Sequence, residues 1–545
     1  MHNLKSLLIE RLATNLKRQS VTTPSVWAEN YRVMGGTRPG PWSFKQFPWL
    51  KEMHDSKAEL NVGKKAAQLG FTETVLNITF FNIDVLARDC LYVLPNRTPD
   101  ASDFSASRFD PALELSPHLS KLFSNVKNVG HKRAGSANLY VRGSQSRAGL
   151  KSIPVSLIVL DEIEEFNQES IPLALERASG QIQKQAWMIS TPSIEDYGID
   201  AQFKKTTQEI FSFRCPSCGR YINLDWPDNF VVTGESLDDP NLVNSYLKCN
   251  LCENQLPHLD KSIYLSTGIW VPTFREREAR GFYINQMYSS SITPYEFAQT
   301  YIKSTLNPAD EQEFHNSKMG RTHAVKGAQL SDEEIQSCVG GYDPGPRSGI
   351  ITMGVDVGSY LNYEIDLWHL PTEFKTGDIN IEARPQVLDF GKVIDFEQID
   401  LLMNRFNIRF CIIDAQPERR KAKEFATRFA GRVKLCFYGR GLSGKQINIQ
   451  KDEPIITVDR TSWLDLSLSR FRNKTIGLPK TIDLEYRENL RALVRRYRKD
   501  KDGNPTAEYV CGDKPDHYAH SRNYAEIALP FAVNLARSYN LSGVL

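Results

Sequence analysis

The stretch that most constrains this chain is Ser156–Phe166, SLIVLDEIEEF. Leu157 to Leu160 is a short apolar run, the pattern of a strand buried on both faces of a parallel sheet. Asp161 and Glu162 stand at its C-terminal end, where open α/β sheets bind their ligands. An acid in that place can hold Mg²⁺ through water, and the next acid can polarise an attacking water. That is the Walker B arrangement of a phosphate-hydrolysing motor. Strands also end in solvated acids, so the rest of the chain has to supply a phosphate cradle, a coupling element and a substrate.

A cradle lies upstream. Val62–Thr74 reads VGKKAAQLGFTET. A P-loop needs small residues so that backbone N–H groups face phosphate, a lysine for the β/γ-phosphates and a hydroxyl for Mg²⁺ at a helix N-terminus. Ala66, Ala67 and Gly70 are small, and Thr72 follows where the hydroxyl belongs. Phe71 occupies the place of the usual lysine, while Lys64 and Lys65 lie at the head of the loop and can reach back across it. Ahead of the loop, residues 24–54 carry Trp27, Tyr31, Trp42, Phe44, Phe47 and Trp49 among glycines and prolines. These rings either wrap an adenine by stacking or form a packed cluster. Arg142 and Arg147, in the Gly/Ser-rich YVRGSQSRAGL, are alternative γ-phosphate contacts or ordinary surface arginines. Trp187–Pro192, WMISTP, reads as another buried strand. In helicase-like motors a hydroxyl pair in the place of Ser190 and Thr191 senses the γ-phosphate and couples hydrolysis to movement; an ordinary turn has the same appearance.

Taken in order, the aromatic PGPW, the loop KAAQLGFTET, the strand LIVLDE and the strand ISTP resemble the large terminase subunit of tailed phages, GpA type. Most of that family has a lysine where Phe71 stands, and some members shift it to the loop head as here. The resemblance implies that Lys65 is the phosphate lysine, Thr72 the Mg²⁺ hydroxyl, Asp161 the Mg²⁺ acid and Glu162 the catalytic carboxylate.

Further along, Cys215-Pro-Ser-Cys218 and Cys249-Asn-Leu-Cys252 form two CxxC knuckles. Each offers two thiolates from one turn, and together they give the tetrahedral S₄ set of a structural Zn²⁺ site. The other five of the nine cysteines are scattered, which suits a reducing compartment better than a disulfide framework. The resemblance places a similar insertion here. Gly281–Tyr288 alternates like a strand, Tyr295–Lys303 has helical spacing, and the following segment, rich in Gly, Pro, Ser and acids, reads as a linker.

The C-terminal part begins with Ile350–Gly358, IITMGVDVG, a hydrophobic strand that presents Asp356. Ile365–Leu370 is its expected antiparallel neighbour. A second strand, Phe410–Asp414, ends in Asp414, and Asp516 precedes an alanine-rich helix. Three such acids can converge on a pair of Mg²⁺ or Mn²⁺ ions that activate water for phosphodiester cleavage. The resemblance to the terminase nuclease supports all three and marks His520 as standing where the family usually has an aspartate; Glu526 competes for the third position. Arg419, Arg420, Lys421 and Lys423 follow Asp414, and Arg491, Arg495, Arg496, Arg498, Lys499 and Lys501 precede the Asp502–Gly503 turn. They flank the acids and offer phosphate contacts, although a charge run is usually a solvated face.

At 545 residues the chain exceeds one hydrophobic core. A net charge of +2 leaves any nucleic-acid contact to local patches. No apolar run approaches the roughly 20 residues that span a bilayer. The expectation is an α/β chain: a RecA-like P-loop ATPase at 1–330 with a zinc-binding insertion at 211–256, a linker at 331–348 and an RNase H-like endonuclease at 349–545. The resemblance, spanning residues 24–535, implies an ATP-driven motor that packs double-stranded DNA into the procapsid and cuts concatemers. It also implies a ring of like subunits on the portal, a small terminase subunit as partner, no membrane, and the host cytoplasm as location. A helicase-nuclease of repair or restriction, and a non-catalytic DNA-binding or capsid-associated protein with a degenerate ATP site, are the alternatives.

Overall fold

Every residue of the run Leu157–Asp161 is buried in a strand covered on both faces, as its composition requires. The computed structural model describes residues 21–36, 38–123, 126–145, 150, 153–371, 379–439, 447–499, 505–512 and 514–536. The chain divides into two compact units, Met1–His323 and Ala324–Leu545. No helix among the described residues is long and apolar enough to cross a membrane.

The first unit is organised by β1 (Leu60–Lys65), α1 (Phe71–Asp84), β2 (Cys90–Leu94), β3 (Ala137–Gly143), β4 (Leu157–Asp161), β5 (Gln185–Ser190), β6 (Glu209–Arg214) and β7 (Arg280–Ile284). These seven strands run parallel in the spatial order β6-β7-β1-β5-β4-β2-β3. Short antiparallel strands extend both edges, which makes the sheet mixed. Because β5 lies between β1 and β4, with Lys64 opposite Ser190 and Asp161 opposite Ile189, the C-terminal ends of all three strands share one edge.

The aromatic segment is core: Trp27, Trp42, Phe44 and Trp49 are buried and pack with α1, so these rings cannot wrap an adenine. Trp49 supports the loop instead, its indole N–H donating to the Leu69 carbonyl at 3.1 Å. Phe71 is buried as well, and room for it exists because residue 63 is glycine; a Cβ there would lie 2.6 Å from the Phe71 ring.

The second unit carries β8 (Ile350–Val357), β9 (Leu361–His369), β10 (Arg384–Val393), α2 (Phe396–Arg405), β11 (Phe410–Asp414), β12 (Val433–Tyr438), β13 (Ile447–Ile449), β14 (Ile455–Val458), α3 (Arg460–Arg472) and α4 (His517–Ala536). Its mixed sheet has the order β10-β9-β8-β11-β12-β14-β13. β9 lies antiparallel between β8 and β10, while β11, β12 and β14 continue parallel to β8. α4 crosses β8 at Gly354, where a Cβ would lie 2.0 Å from the Ser521 carbonyl oxygen. Only glycine admits the helix so close to the strand.

The segment 331–348, polar enough to read as a linker, contributes to this unit. Asp332–Gln336 is a helix started by a Ser331/Glu334 capping box. Ile335 and Cys338, with Leu330 just before them, are buried against Leu464, Leu468 and Phe471. Three apolar residues among many polar ones suffice to anchor it.

Candidate ATP and metal sites

Adjacent strand residues face opposite sides of a sheet, so the two lysines at the end of β1 diverge. Lys64 pairs with the buried Asp200 at 2.5 Å on the short helix Gly198–Phe203. The Lys64 charge holds that carboxyl below its usual range against the opposing effect of burial. Lys64 is therefore committed to an internal ion pair, contrary to its expected phosphate role. Lys65 points the other way, to Glu162 Oε1 at 3.2 Å.

Around Lys65 the three strand ends assemble one constellation. The Tyr92 hydroxyl donates to Asp161 Oδ2 at 2.5 Å, and the Ser190 hydroxyl donates to Glu162 Oε2 at 3.1 Å. Burial, and then the charge of Glu162, push Asp161 up to about 7, with Lys65, Tyr92 and the Thr72 hydroxyl pulling it down. The second oxygen of Asp161, Oδ1, is buried without a partner. A carboxylate with an orphaned oxygen, beside a hydroxyl and a second acid, fits a hard divalent cation. Thr191 is half-buried, and its carbonyl accepts from Ser190. Arg142 is turned away onto the Gly130 carbonyl, and Arg147 lies outside the described residues.

The loop itself is braced from outside both motifs. Ala66 N–H donates to Ile284 O at 3.0 Å and Ala67 N–H to Ser317 O at 2.8 Å, while Gln286 Nε2 donates to Ala67 O at 3.1 Å. Gly70, with φ +85°, turns the chain into α1, whose first N–H groups have no intrahelical acceptor and face any anion there. The segment carrying Ser317 also holds the chain beyond Ser190: Asn316 Nδ2 donates to Ser193 O at 2.8 Å and His323 N–H to the same carbonyl at 3.0 Å. Gly320 is the closest approach, with φ +61° and a hypothetical Cβ 2.7 Å from Ala66 N. Gly320→Ala is expected to weaken binding of a fluorescent ATP analogue by about tenfold, a left-handed alanine and a backbone clash together costing on the order of 1–3 kcal/mol. Unchanged affinity in the folded variant would show that the brace does not shape the loop.

Cys215, Cys218, Cys249 and Cys252 form the one group of three or more metal-type ligands, among the described residues, whose ligand atoms all lie within 4.8 Å of one another. The two knuckles share one turn: Gly219 N–H returns to Cys215 O and Glu253 N–H to Cys249 O, both at 2.9 Å, and both residues have positive φ. Sulfurs of a tetrahedral zinc site, each about 2.3 Å from the ion, sit about 3.8 Å apart; Cys215 and Cys252 are separated by 3.9 Å. The residues fit the metal. The module is wired toward the phosphate loop, because Asn285 and Tyr288, beside Ile284 and Gln286, bond to Leu224 within it.

In the second unit, Asp356 is buried on β8 and Asp414 closes the neighbouring β11. Burial, then the charge of Asp356, raises Asp414 to about 6, with His520 and hydrogen bonds from Gln416 and Tyr524 opposing. Two carboxylates on neighbouring strands, near enough for the charge of one to raise the other, suit a divalent cation. Asp356 Oδ2 meets His517 Nδ1 at 2.8 Å. Asp516 sits at 3.2 Å from His520 Nε2 and 3.9 Å from the Arg460 guanidinium, which hold it well below the usual carboxylate range despite burial. Glu526 is excluded as a ligand: it is fully buried between Arg470 (2.6 Å) and Arg522 (2.5 Å). The acids do not close into one tight cluster, and Arg460 supplies positive charge at the Asp516 side.

The basic runs are largely neutralised. Arg419 pairs with Glu453 at 3.4 Å, Arg420 with Glu424 at 3.1 Å, Arg495 with Asp465 at 2.8 Å, and Arg496 with Glu508. The side chain of Arg498 lies outside the described residues. Tyr92, Asp200, Gly320 and Arg460 carry no motif of their own; each reaches its site across more than fifty residues of chain, beyond any local pattern, whereas His517 follows Asp516 directly and meets Asp356 from 161 residues away.

Residues 36–270 match the family described as phage terminase large subunit gpA, ATPase domain. Among solved structures, the large terminase of bacteriophage HK97 is similar over 93% of this chain and 99% of its own, with 11% identity and a TM-score of 0.51. This likeness is one of fold. A large terminase from a thermophilic bacteriophage aligns over 89% of this chain and 98% of its own, with 11% identity and a TM-score of 0.31. No curated protein matches the chain.

Proposed function

We propose, from the match of residues 36–270 to the ATPase-domain family of phage terminase large subunits, that this chain is an ATP-driven DNA-packaging motor joined to a metal-dependent endonuclease. The observation that carries the motor is the convergence of Lys65, Thr72, Asp161, Glu162 and Ser190 on one sheet edge. In this reading, residues 1–330 are a RecA-like ATPase with a zinc-binding insertion and 349–545 an RNase H-like nuclease. The substrate is double-stranded DNA in the host cytoplasm, and the partners are the portal, a small terminase subunit and further copies in a ring.

The chain's own groups divide the work. Loop amides at the start of α1 hold phosphate, and Lys65 leaves Glu162 to neutralise it. Thr72 and Asp161 would hold Mg²⁺, which when bound neutralises charge on the β- and γ-phosphates. Glu162, released from Lys65 but still held by Ser190, takes the proton of the attacking water. The Ser190 to Ser193 segment then responds, because Ser190 touches the carboxylate and Ser193 touches the brace. In the second unit Asp356 and Asp414 would hold Mg²⁺ or Mn²⁺, with Asp516 and His520 the proposed further ligands.

DNA-stimulated ATP turnover by the full chain tests the motor. Stimulation is expected; turnover indifferent to DNA would favour a DNA-binding protein with a degenerate ATP site, and DNA unwinding would favour a helicase-nuclease.

Zinc is expected at one ion per chain by elemental analysis. Cys249→Ser should lower the melting temperature by about 5 °C, the shift of a loss of about 3 kcal/mol in a unit of this size. It should also weaken nucleotide binding through residues 284–288. A variant with unchanged melting and affinity would remove the module from the ATP site's support.

A further inference from the structure

At the end of β8 opposite Asp356, a cleft of about 440 Å³ is lined by Arg347, Arg405 and Arg409 together with the backbone of Ser348 to Ile351. The three arginines come from separate places: the segment before β8, the last residue of α2 and the residue before β11. All three are exposed, and among the described residues none forms an ion pair. The nearby acids are engaged elsewhere. Asp343 pairs with Lys480 at 2.6 Å. Asp389, which senses the Arg405 charge, accepts from the Tyr363 hydroxyl and the Phe390 N–H.

Two of the guanidinium groups are nevertheless held in place. Arg347 rests over the Tyr342 ring at 5.2 Å and Arg405 over Phe406 at 5.4 Å, contacts that orient the plane and leave the charge in place. Arg409 is fixed through its backbone, whose N–H donates to Ile351 O at 2.8 Å. Three like charges around one opening repel each other unless an anion joins them, and guanidinium forks suit phosphate oxygens. The acid-paired runs at Arg419–Arg420 and Arg495–Arg496 lack this property.

We propose that this cleft binds the phosphodiester backbone of nucleic acid, as a contact separate from the acidic centre. The inference rests on the DNA-processing reading above. Six residues of β8 separate Ile350 from Asp356, about 20 Å at 3.3 Å per residue. That is the length of about six phosphates along one strand. The cleft therefore grips the duplex away from the scissile bond and carries no cutting chemistry.

The test is the salt dependence of binding to a short blunt duplex, measured by anisotropy with the zinc-loaded full chain in buffer without added Mg²⁺ or Mn²⁺. Arg347→Gln, Arg405→Gln and Arg409→Gln are combined and compared with Arg428→Gln, whose guanidinium pairs with Asp400 at 2.7 Å. The triple variant should reduce the slope of log K against log salt by up to about 2.7, at about 0.9 per phosphate lost. The Arg428 variant should change it by less than about 0.5. Basal ATP turnover and melting temperature, unchanged in the triple variant, exclude misfolding; if melting shifts, Arg405→Gln alone should still lower the slope by about 0.9. Equal slopes for wild type and the variants overturn the cleft and leave the motor-nuclease reading standing. A wild-type chain that fails to bind the duplex overturns both. Loss of binding to poly-L-glutamate with duplex binding intact overturns the nucleic-acid assignment in favour of an acidic protein.

Discussion

Glu162→Gln is expected to lower ATP turnover by about 10³-fold while nucleotide affinity stays within about threefold. Glutamine preserves the volume and can still accept from Ser190, so the substitution removes the charge and basicity and little else. Four acids stand close together here, and the structure separates their tasks. Asp161 is buried and bound by Tyr92. Glu164 is buried and takes N–H donors from Ser193 at 2.8 Å and Ile199 at 3.0 Å, with the Ser193 hydroxyl on the same group. A carboxylate so fully used holds two chain segments together and has no capacity left for a water. Glu165 lies one residue beyond it in the short turn Ile163–Glu165. Glu162 alone combines a 45% exposed side chain with contacts to both Lys65 and Ser190. Its backbone adopts φ +60°, a conformation costing a non-glycine residue on the order of 1 kcal/mol, and one that turns its side chain to this edge. Steady-state turnover with titration of a fluorescent ATP analogue decides the matter. A fall smaller than tenfold would move the base elsewhere; a large loss of affinity would make Glu162 a binding group.

Asp356→Asn should abolish Mn²⁺-dependent linearisation of plasmid by the full chain, a loss of about 10³-fold, the scale of removing one group that acts on a charged transition state. The same variant should keep DNA-stimulated ATP turnover, since the motor residues lie in the other unit. Asparagine retains an oxygen for His517 but carries no charge to share with Asp414. Without that charge Asp414 should also ionise more readily, because the Asp356 charge is one of the two influences raising it. Gel quantification of linear product beside an EDTA control is sufficient. Cutting at wild-type rate would detach Asp356 from the nuclease and leave Asp414, Asp516 and His520 to account for it.

Both sites were partly legible because their central residues sit on strong local patterns. A buried strand with acids at its end, a small-residue loop before a helix and a doubled CxxC declare themselves within a dozen residues. The failures share a different cause. Lys64 and Lys65 are indistinguishable in composition, and the alternation of β1 sends one to Asp200 and the other to Glu162. The basic runs carried the right charge, but their acids, Glu453, Asp465 and Glu508, come from elsewhere in the chain. Arg347, Arg405 and Arg409 formed no run at all and meet only once β8, α2 and β11 are in place. Residues 331–348 had a linker's composition, yet Ile335 and Cys338 bury themselves in a core that no local pattern indicates.

The packing of Phe71 against Gly63 has an evolutionary consequence. The two positions are eight residues apart and are coupled: a Cβ at 63 would meet the Phe71 ring at 2.6 Å and Ile189 Cγ2 at 3.0 Å, so the ring has no space without the glycine. A lineage that places lysine at 71 withdraws an aromatic volume from beneath the loop and relaxes the demand for glycine at 63 to the single neighbour Ile189. A lineage with its lysine at the loop head is tied to the small residue. Substitutions at 63 and 71 should therefore be found changed together across descendants of this chain, and a single change at either should be rare.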